Sequence, residues 1–251
     1  MKTRPRRIGL ILSQTRGNRF LIHTDTEKWI TDAGIEIVPI IPTIGKDEAI
    51  FIFSCIHGLY LQPGEPGNFS NLDNTIRMGA LFLTMAIESN KAGHYFPVWG
   101  TCMGLQQIVS QIEDVSIHSL NSVESTNHRS PLTIVYPQSR LLQSRSKSRS
   151  KSQSLHPWFN NTFGIHTHQI QDSLLRVVAT VCDKKGNEFV AIVEGKTFPI
   201  YGVQFHQEKD SKFKWMSTFL RQELMKNEDE DEDKDESKCH RIPRTSTHFM
   251  K

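Results

Sequence analysis

Over the first half of the chain, short apolar runs alternate with longer amphipathic stretches. Ile8–Leu12 is a five-residue run of apolar residues and glycine, and it predicts a buried first strand. Thr24–Ala33 is helix-like, with Gly34 placed to stop it. Ile35–Ile41 (IEIVPII) predicts a strand in which Pro39, with no N–H to give, implies an edge position or an early end. Gly58–Leu61 predicts a third strand, ended by the turn-rich QPGEPGN, and Asp73–Asn90 a long helix. Tyr95–Trp99 predicts a fourth strand, followed at once by GTCMG and the apolar stretch Leu105–Ile112. This alternation predicts a parallel sheet covered by helices on both faces.

The pattern then changes. Leu174–Cys182, Glu188–Glu194 and Ile200–Phe205 are strand-like runs joined by the short polar links DKKGN and GKTFP, which predicts antiparallel pairing. Ser211–Lys226 reads as a closing amphipathic helix. Two segments have nothing to bury: the basic, low-complexity Ser144–Ser154 (SRSKSRSKSQS) and the acidic, irregular stretch from Asn227. The expected organisation is one domain over residues 4–226, with a dispensable surface insertion at 144–154 and a solvated tail at 227–251.

Composition changes this picture in only a few places. Among 251 residues, 37% are hydrophobic and 14 are Phe, enough for a core. The formal charge of +3 hides a block at 228–236 with eight acids and one lysine, so the remainder carries about +10. A modestly basic body suits an anionic small-molecule substrate. The Arg/Ser run has no interleaved aromatics, which favours a plain surface insertion over a nucleic-acid partner. Cys55, Cys102, Cys182 and Cys239 are scattered, without zinc spacing, so no metal site is expected. No run is long enough to span a membrane, and the N-terminal apolar core is too short for a signal peptide. On sequence alone the expectation is a cytoplasmic protein, and no pattern specifies an oligomeric state.

Candidate chemistry sits at two motifs. In Gly100-Thr101-Cys102-Met103-Gly104 a strand turns into a helix, and flanking glycines allow a tight turn that presents the cysteine at the carboxyl end of the sheet. The following helix aims its N-terminal N–H groups at the sulfur. Alone, such a motif is more often a structural cysteine beside a turn. The second motif changes that balance: Tyr201–Glu208 (YGVQFHQE) is a strand ending in His-x-Glu. A cysteine hydrolase needs a base near its nucleophile and a carboxylate near the base, which assigns Cys102, His206 and Glu208 to those roles.

YFPVWGTCMGLQQI closely resembles the nucleophile segment of gamma-glutamyl hydrolases, and FPIYGVQFHQEKDSKFKW resembles their His/Glu segment. RPRRIGLIL, the stretch ending in DAGIEIVPI, and EFVAIVEGKTFPI are similar to counterparts there. The resemblance runs from about Arg4 to Trp215 and is weaker between Val115 and Asn160. It implies a flavodoxin-like three-layer α/β sandwich of the class I glutamine amidotransferase kind: a mostly parallel central sheet with an antiparallel C-terminal strand group. It also implies a cysteine-type omega peptidase that cleaves gamma-glutamyl bonds of pteroyl or other poly-gamma-glutamates without a cofactor. Carried over by motif, Cys102 is the nucleophile, His206 moves the proton and Glu208 orients it. Backbone donors at Gly64 and Met103 would hold the oxyanion. Members of that family are typically secreted, lysosomal or vacuolar, at odds with the cytoplasmic expectation.

Three positions depart from the family pattern. Glu65 replaces a second glycine after the third strand, Gln207 replaces proline in His-Pro-Glu, and Asn161 stands where a substrate-side histidine is usual. His166 and His168 lie close by in sequence, either as substitutes or as surface residues. Gly-x-Cys-x-Gly-x-Gln (Gly100 to Gln106) and GVQFHxE also occur in glutamine amidotransferase domains that pass ammonia to a synthetase. That reading, and a non-catalytic descendant of the fold, remain open alternatives.

Overall fold

Strands apolar on both faces need cover on both, and the chain supplies it in the order of its elements. It enters as β1 (Arg7–Ile11), makes a small detour through β2 (Ser13–Gln14) and β3 (Phe20–Leu21), and continues through α1 (Thr24–Thr31), β4 (Glu36–Ile40), α2 (Lys46–Cys55) and β5 (Gly58–Leu61). Then follow α3 (Leu72–Lys91), β6 (Val98–Thr101), α4 (Met103–Glu113), β7 (Asn121–Arg129), β8 (Thr133–Ile134), α5 (Arg140–Ser146) and β9 (Trp158–Gly164). The chain closes with β10 (Leu175–Cys182), β11 (Glu188–Gly195), β12 (Ile200–Val203) and α6 (Lys214–Met225). The computed structural model describes residues 5–14, 19–64, 72–117, 120–146, 155–171 and 174–227.

Eight of these strands form one sheet in the order β4-β1-β5-β6-β12-β11-β10-β8. The five from β4 to β12 are mutually parallel, while β11, β10 and β8 add on in antiparallel fashion. Trp29 and Ile30 of α1, Leu141 of α5, and Phe219 and Leu220 of α6 fill one face. Ile52 of α2, Phe82 and Leu83 of α3, and Ile108 of α4 fill the other. The expected three-layer α/β sandwich, mostly parallel with an antiparallel C-terminal group, is therefore observed. Pro39 lies in the edge strand β4, opposite Leu10, where a missing N–H costs no ladder bond on the open side. Among the described residues no helix is long and apolar enough to cross a membrane.

Some elements differ from the sequence expectation. The fourth strand is Val98–Thr101, because the stretch up to Pro97 only leads in, and ladder pairing to β5 and β12 starts at Val98. Helix α2 has no counterpart in the sequence pattern: its apolar residues run together from Ala49 to Phe53 without helical spacing, and Ile50 and Phe51 remain exposed. Nor does the two-stranded sheet of β7 and β9, since the β7 sequence NSVESTNHR is largely polar.

The first residues of the basic segment 144–154 are helical. Ser144, Arg145 and Ser146 form the last turn of α5, and the Ser144 hydroxyl donates to the Leu141 carbonyl at 2.6 Å. The rest of that segment, and the tail beyond Asn227, lie outside the described residues.

Helix α5 is docked by a buried carboxylate. Glu194 of β11 accepts from the backbone N–H groups of Arg140 (3.2 Å) and Leu141 (3.1 Å), while the Arg140 guanidinium donates to the carbonyls of Gly195 and Phe198. A carboxylate at free helix N–H groups is favoured by both hydrogen bonding and dipole. Glu194→Ala is expected to cost about 1–3 kcal/mol of stability, measured by urea unfolding, with Glu194→Gln losing less.

Candidate active site

Thr101 ends β6 and Met103 opens α4, so Cys102 alone carries the reversal from strand to helix. Its backbone sits at φ 54°, ψ −107°, a region that a side-chain-bearing residue adopts only under constraint. The constraint is close packing. A Cβ on Gly100 would come within 2.6 Å of the Gly104 backbone, and one on Gly104 within 2.0 Å of the Leu61 carbonyl oxygen. Only two glycines let the first turn of α4 lie directly on β5 and β6. The Cys102 N–H donates to the Val203 carbonyl at 2.8 Å, fastening the elbow to the end of β12.

That bond brings the second motif to the first. From Val203 the chain runs through Gln204 and Phe205 to His206, whose backbone N–H donates to the Trp158 carbonyl at 3.1 Å. A short 3-10 turn at Gln207–Lys209 then folds Glu208 back. His206 Nδ1 and Glu208 Oε1 are 2.7 Å apart, with the carboxylate side chain 1% exposed. Burial pushes the His206 imidazole down. The Cys102 sulfur, by charge and by hydrogen bond, and then Glu208 outweigh that and push it up to about 10. Cys102, His206 and Glu208 thus form a contiguous chain, with the indole of Trp158 packed 5.2 Å from the imidazole.

Gly64 follows β5 and lies against α4, since a Cβ there would meet Met103 Sδ at 2.5 Å. The preceding Pro63 carbonyl accepts from Ser13 Oγ (3.4 Å) and lies 3.1 Å from His23 Nε2, which fixes the approach of this segment. Gly64 thus packs against Met103, the residue that follows Cys102. Glu65 lies outside the described residues.

Gln207 has a structural function that proline could not serve. Its side-chain amide donates to Thr101 Oγ1 (2.8 Å) and Tyr60 OH (3.2 Å), themselves 2.7 Å apart, and Trp99 Nε1 donates to the same Thr101 oxygen. This buried cluster ties the His-Gln-Glu turn to β5 and β6. Burial, then the charge of Glu208, pushes the Tyr60 phenol well above its ordinary range. Asn161 is also buried, and its Nδ2 donates to the Phe163 carbonyl at 2.9 Å. His166 caps, and His168 lies within, the 3-10 turn Thr167–Gln169 after β9, and their rings stack 5.7 Å apart. Sequence reasoning missed Gln204, whose Nε2 lies 3.5 Å from Cys102 Sγ. The available signal was a lone amide near the end of the otherwise apolar run Ile200–Phe205. No group of three or more His, Cys, Asp or Glu among the described residues is arranged to hold a metal ion.

Residues 33–226 match the family model described as glutamine amidotransferase class-I. The chain is 29% identical over 222 residues to the gamma-glutamyl hydrolase of Rattus norvegicus, covering 83% of this chain and 68% of that protein. It is 31% identical over 199 residues to gamma-glutamyl hydrolase B of Dictyostelium discoideum, covering 76% of this chain and 56% of that one. A putative GMP synthase component from Thermoplasma acidophilum shares the fold, with a TM-score of 0.62, 15% identity, and coverage of 91% of this chain and 98% of its own. These similarities bear out the family resemblance read from the sequence and the hydrolase it implies.

Two outcomes are expected. Glu208→Gln should lower the His206 imidazole from about 10 while leaving the upward push of Cys102 in place, read by NMR titration of its ring proton. A raised value means that the charged ring stabilises the fold fully below about 6.5 and ceases to as pH rises through about 10, so the Tm gap to Glu208→Gln should narrow across that window. Secondly, half-buried Cys102 should react with iodoacetamide faster than exposed Cys182, the reverse of the order that accessibility alone would give.

Proposed function

The chain belongs to the glutamine amidotransferase class-I family, and on that premise we propose that it hydrolyses gamma-glutamyl bonds of pteroyl or other poly-gamma-glutamates through Cys102. The observation that carries this reading is the elbow cysteine in contact with an imidazole backed by a buried carboxylate. The gamma-glutamyl part rests on the names of its relatives and on the basic body, which suits a substrate bearing several carboxylates.

In this mechanism His206 takes the proton of the Cys102 thiol and carries it as an imidazolium between Cys102 and Glu208. The thiolate adds to the gamma-carbonyl carbon, and the carbonyl electron pair moves onto oxygen. Backbone N–H groups of Met103 and Gly64 receive that oxyanion. Collapse breaks the C–N bond as His206 gives its proton to the departing amine, leaving a thioester on Cys102. Neutral His206 then takes a proton from water, which adds to the thioester. Collapse of this second intermediate releases the free gamma-carboxylate and the thiolate. Glu208 keeps Nδ1–H turned toward itself, so that Nε2 serves the sulfur and the leaving group.

The amidotransferase alternative differs in its substrate. Free glutamine brings one carboxylate and a small leaving group, whereas a gamma-glutamyl-glutamate bond has carboxylates on both sides. In kcat/KM, hydrolysis of a gamma-glutamyl peptide should exceed that of glutamine by roughly two orders of magnitude or more, and the advantage should shrink as salt screens the field. His206→Asn should abolish turnover, and Glu208→Gln should weaken it less. Comparable activity on glutamine, especially if a partner protein stimulates it, would replace this reading with the amidotransferase one. A folded protein inactive on both, with Cys102 inert, would favour the non-catalytic descendant.

A further inference from the structure

The Cys102 sulfur has a polar neighbour besides His206. Gln204 is fully buried just past β12, held by its backbone N–H on the Ala191 carbonyl at 2.9 Å, and its side-chain amide faces Sγ. Which end of that amide meets the sulfur follows from its partners. A backbone carbonyl only accepts, so the Gln106 group 2.8 Å from the Phe163 oxygen is its NH2. The same NH2 lies 3.2 Å from Gln204, whose facing atom must then be the carbonyl Oε1. That leaves the Gln204 NH2 3.5 Å from Sγ, an ordinary distance for a donor to sulfur. Asn161 donates to the same Phe163 oxygen and steadies the far end of the relay.

Resting on the reading of Cys102 as nucleophile, we propose that Gln204 is a further catalytic residue, donating an N–H to the Cys102 sulfur while Gln106 and Asn161 act as positioning residues that hold its amide that way round. The donated hydrogen bond favours negative sulfur in the resting enzyme. It does so again when the thioester breaks and the sulfur leaves. No bond to Gln204 forms or breaks, and its proton stays on nitrogen. Asn161, which departs from the family pattern, thereby has a function on the nucleophile side of the site.

Two variants together separate this function from packing: Gln204→Glu keeps the size and the acceptor that Gln106 needs and, when ionised, has no donor for sulfur, while Gln204→Met removes the donor without adding charge. In the full-length protein Gln204→Glu should lower both kcat on a gamma-glutamyl peptide and the iodoacetamide rate of Cys102 at pH 7 by about 10- to 100-fold, the worth of one hydrogen bond to a charged group. KM and the Cys182 alkylation rate should stay unchanged. Gln204→Met should act in the same direction, and Gln106→Met, which only frees the amide to turn, should lose less. Folded Gln204→Glu and Gln204→Met variants with Cys102 alkylation within about twofold of wild type would overturn the proposal. If neither variant folds, an unchanged rate in Gln106→Met overturns it instead. Alkylation needs no substrate, so Gln204-dependent reactivity in a wild type that ignores gamma-glutamyl peptides would support this proposal while sinking the substrate reading.

Discussion

Cys102 lies at φ 54°, ψ −107°, and nearly everything about the site follows from the packing that holds it there. Such a backbone costs on the order of 1–3 kcal/mol for a residue with a side chain, so it persists only where the surroundings leave no alternative. Here α4 begins with no linker after β6, and its first turn rests on the Leu61 carbonyl through Gly104. The sharp reversal lifts the thiol above the carboxyl ends of the parallel strands. Neighbouring strands β5 and β12 flank β6 in the sheet, so the segments that follow them carry Gly64 to the first residue of α4 and His206 to Cys102.

Strain at the elbow is opposed by polar contacts beneath it. The Tyr60, Thr101 and Gln207 cluster fastens β5, β6 and the His-Gln-Glu turn through short hydrogen bonds in a buried setting. A proline in place of Gln207 would stiffen the turn locally, whereas the amide ties it to two strands. Rigidity is reached by a different physical route, and the imidazole remains held between Cys102 and Glu208.

Much of this was legible in the residues because local physics and tertiary structure agree there. Ile8–Leu12 and Gly58–Leu61 are β-branched or apolar runs of strand length, and they are strands; Pro39 announced an edge, and β4 is one. The Gly-x-Cys-x-Gly spacing and the His-x-Glu strand end carried enough chemistry to pair Cys102 with His206 across about a hundred residues. Helix α2 escaped because Ala49–Phe53 has no helical period to read, and β7 because only Val123 and Ser125 of its nine residues turn inward. Gln204 escaped for another reason. Its amide matters through a contact with residue 102 and an orientation set by residues 106 and 163, none of which spacing along the chain encodes.

In the proposed reaction Cys102 carries the acyl group of a gamma-glutamyl substrate between the two halves of the cycle. The most direct test is to mix the protein with a gamma-glutamyl peptide, quench in acid within a turnover, and map any acyl adduct by peptide mass spectrometry. A gamma-glutamyl thioester is expected on the peptide containing Cys102, absent in Cys102→Ala. Steady turnover of the same substrate by Cys102→Ala, or an adduct on another residue, would contradict it.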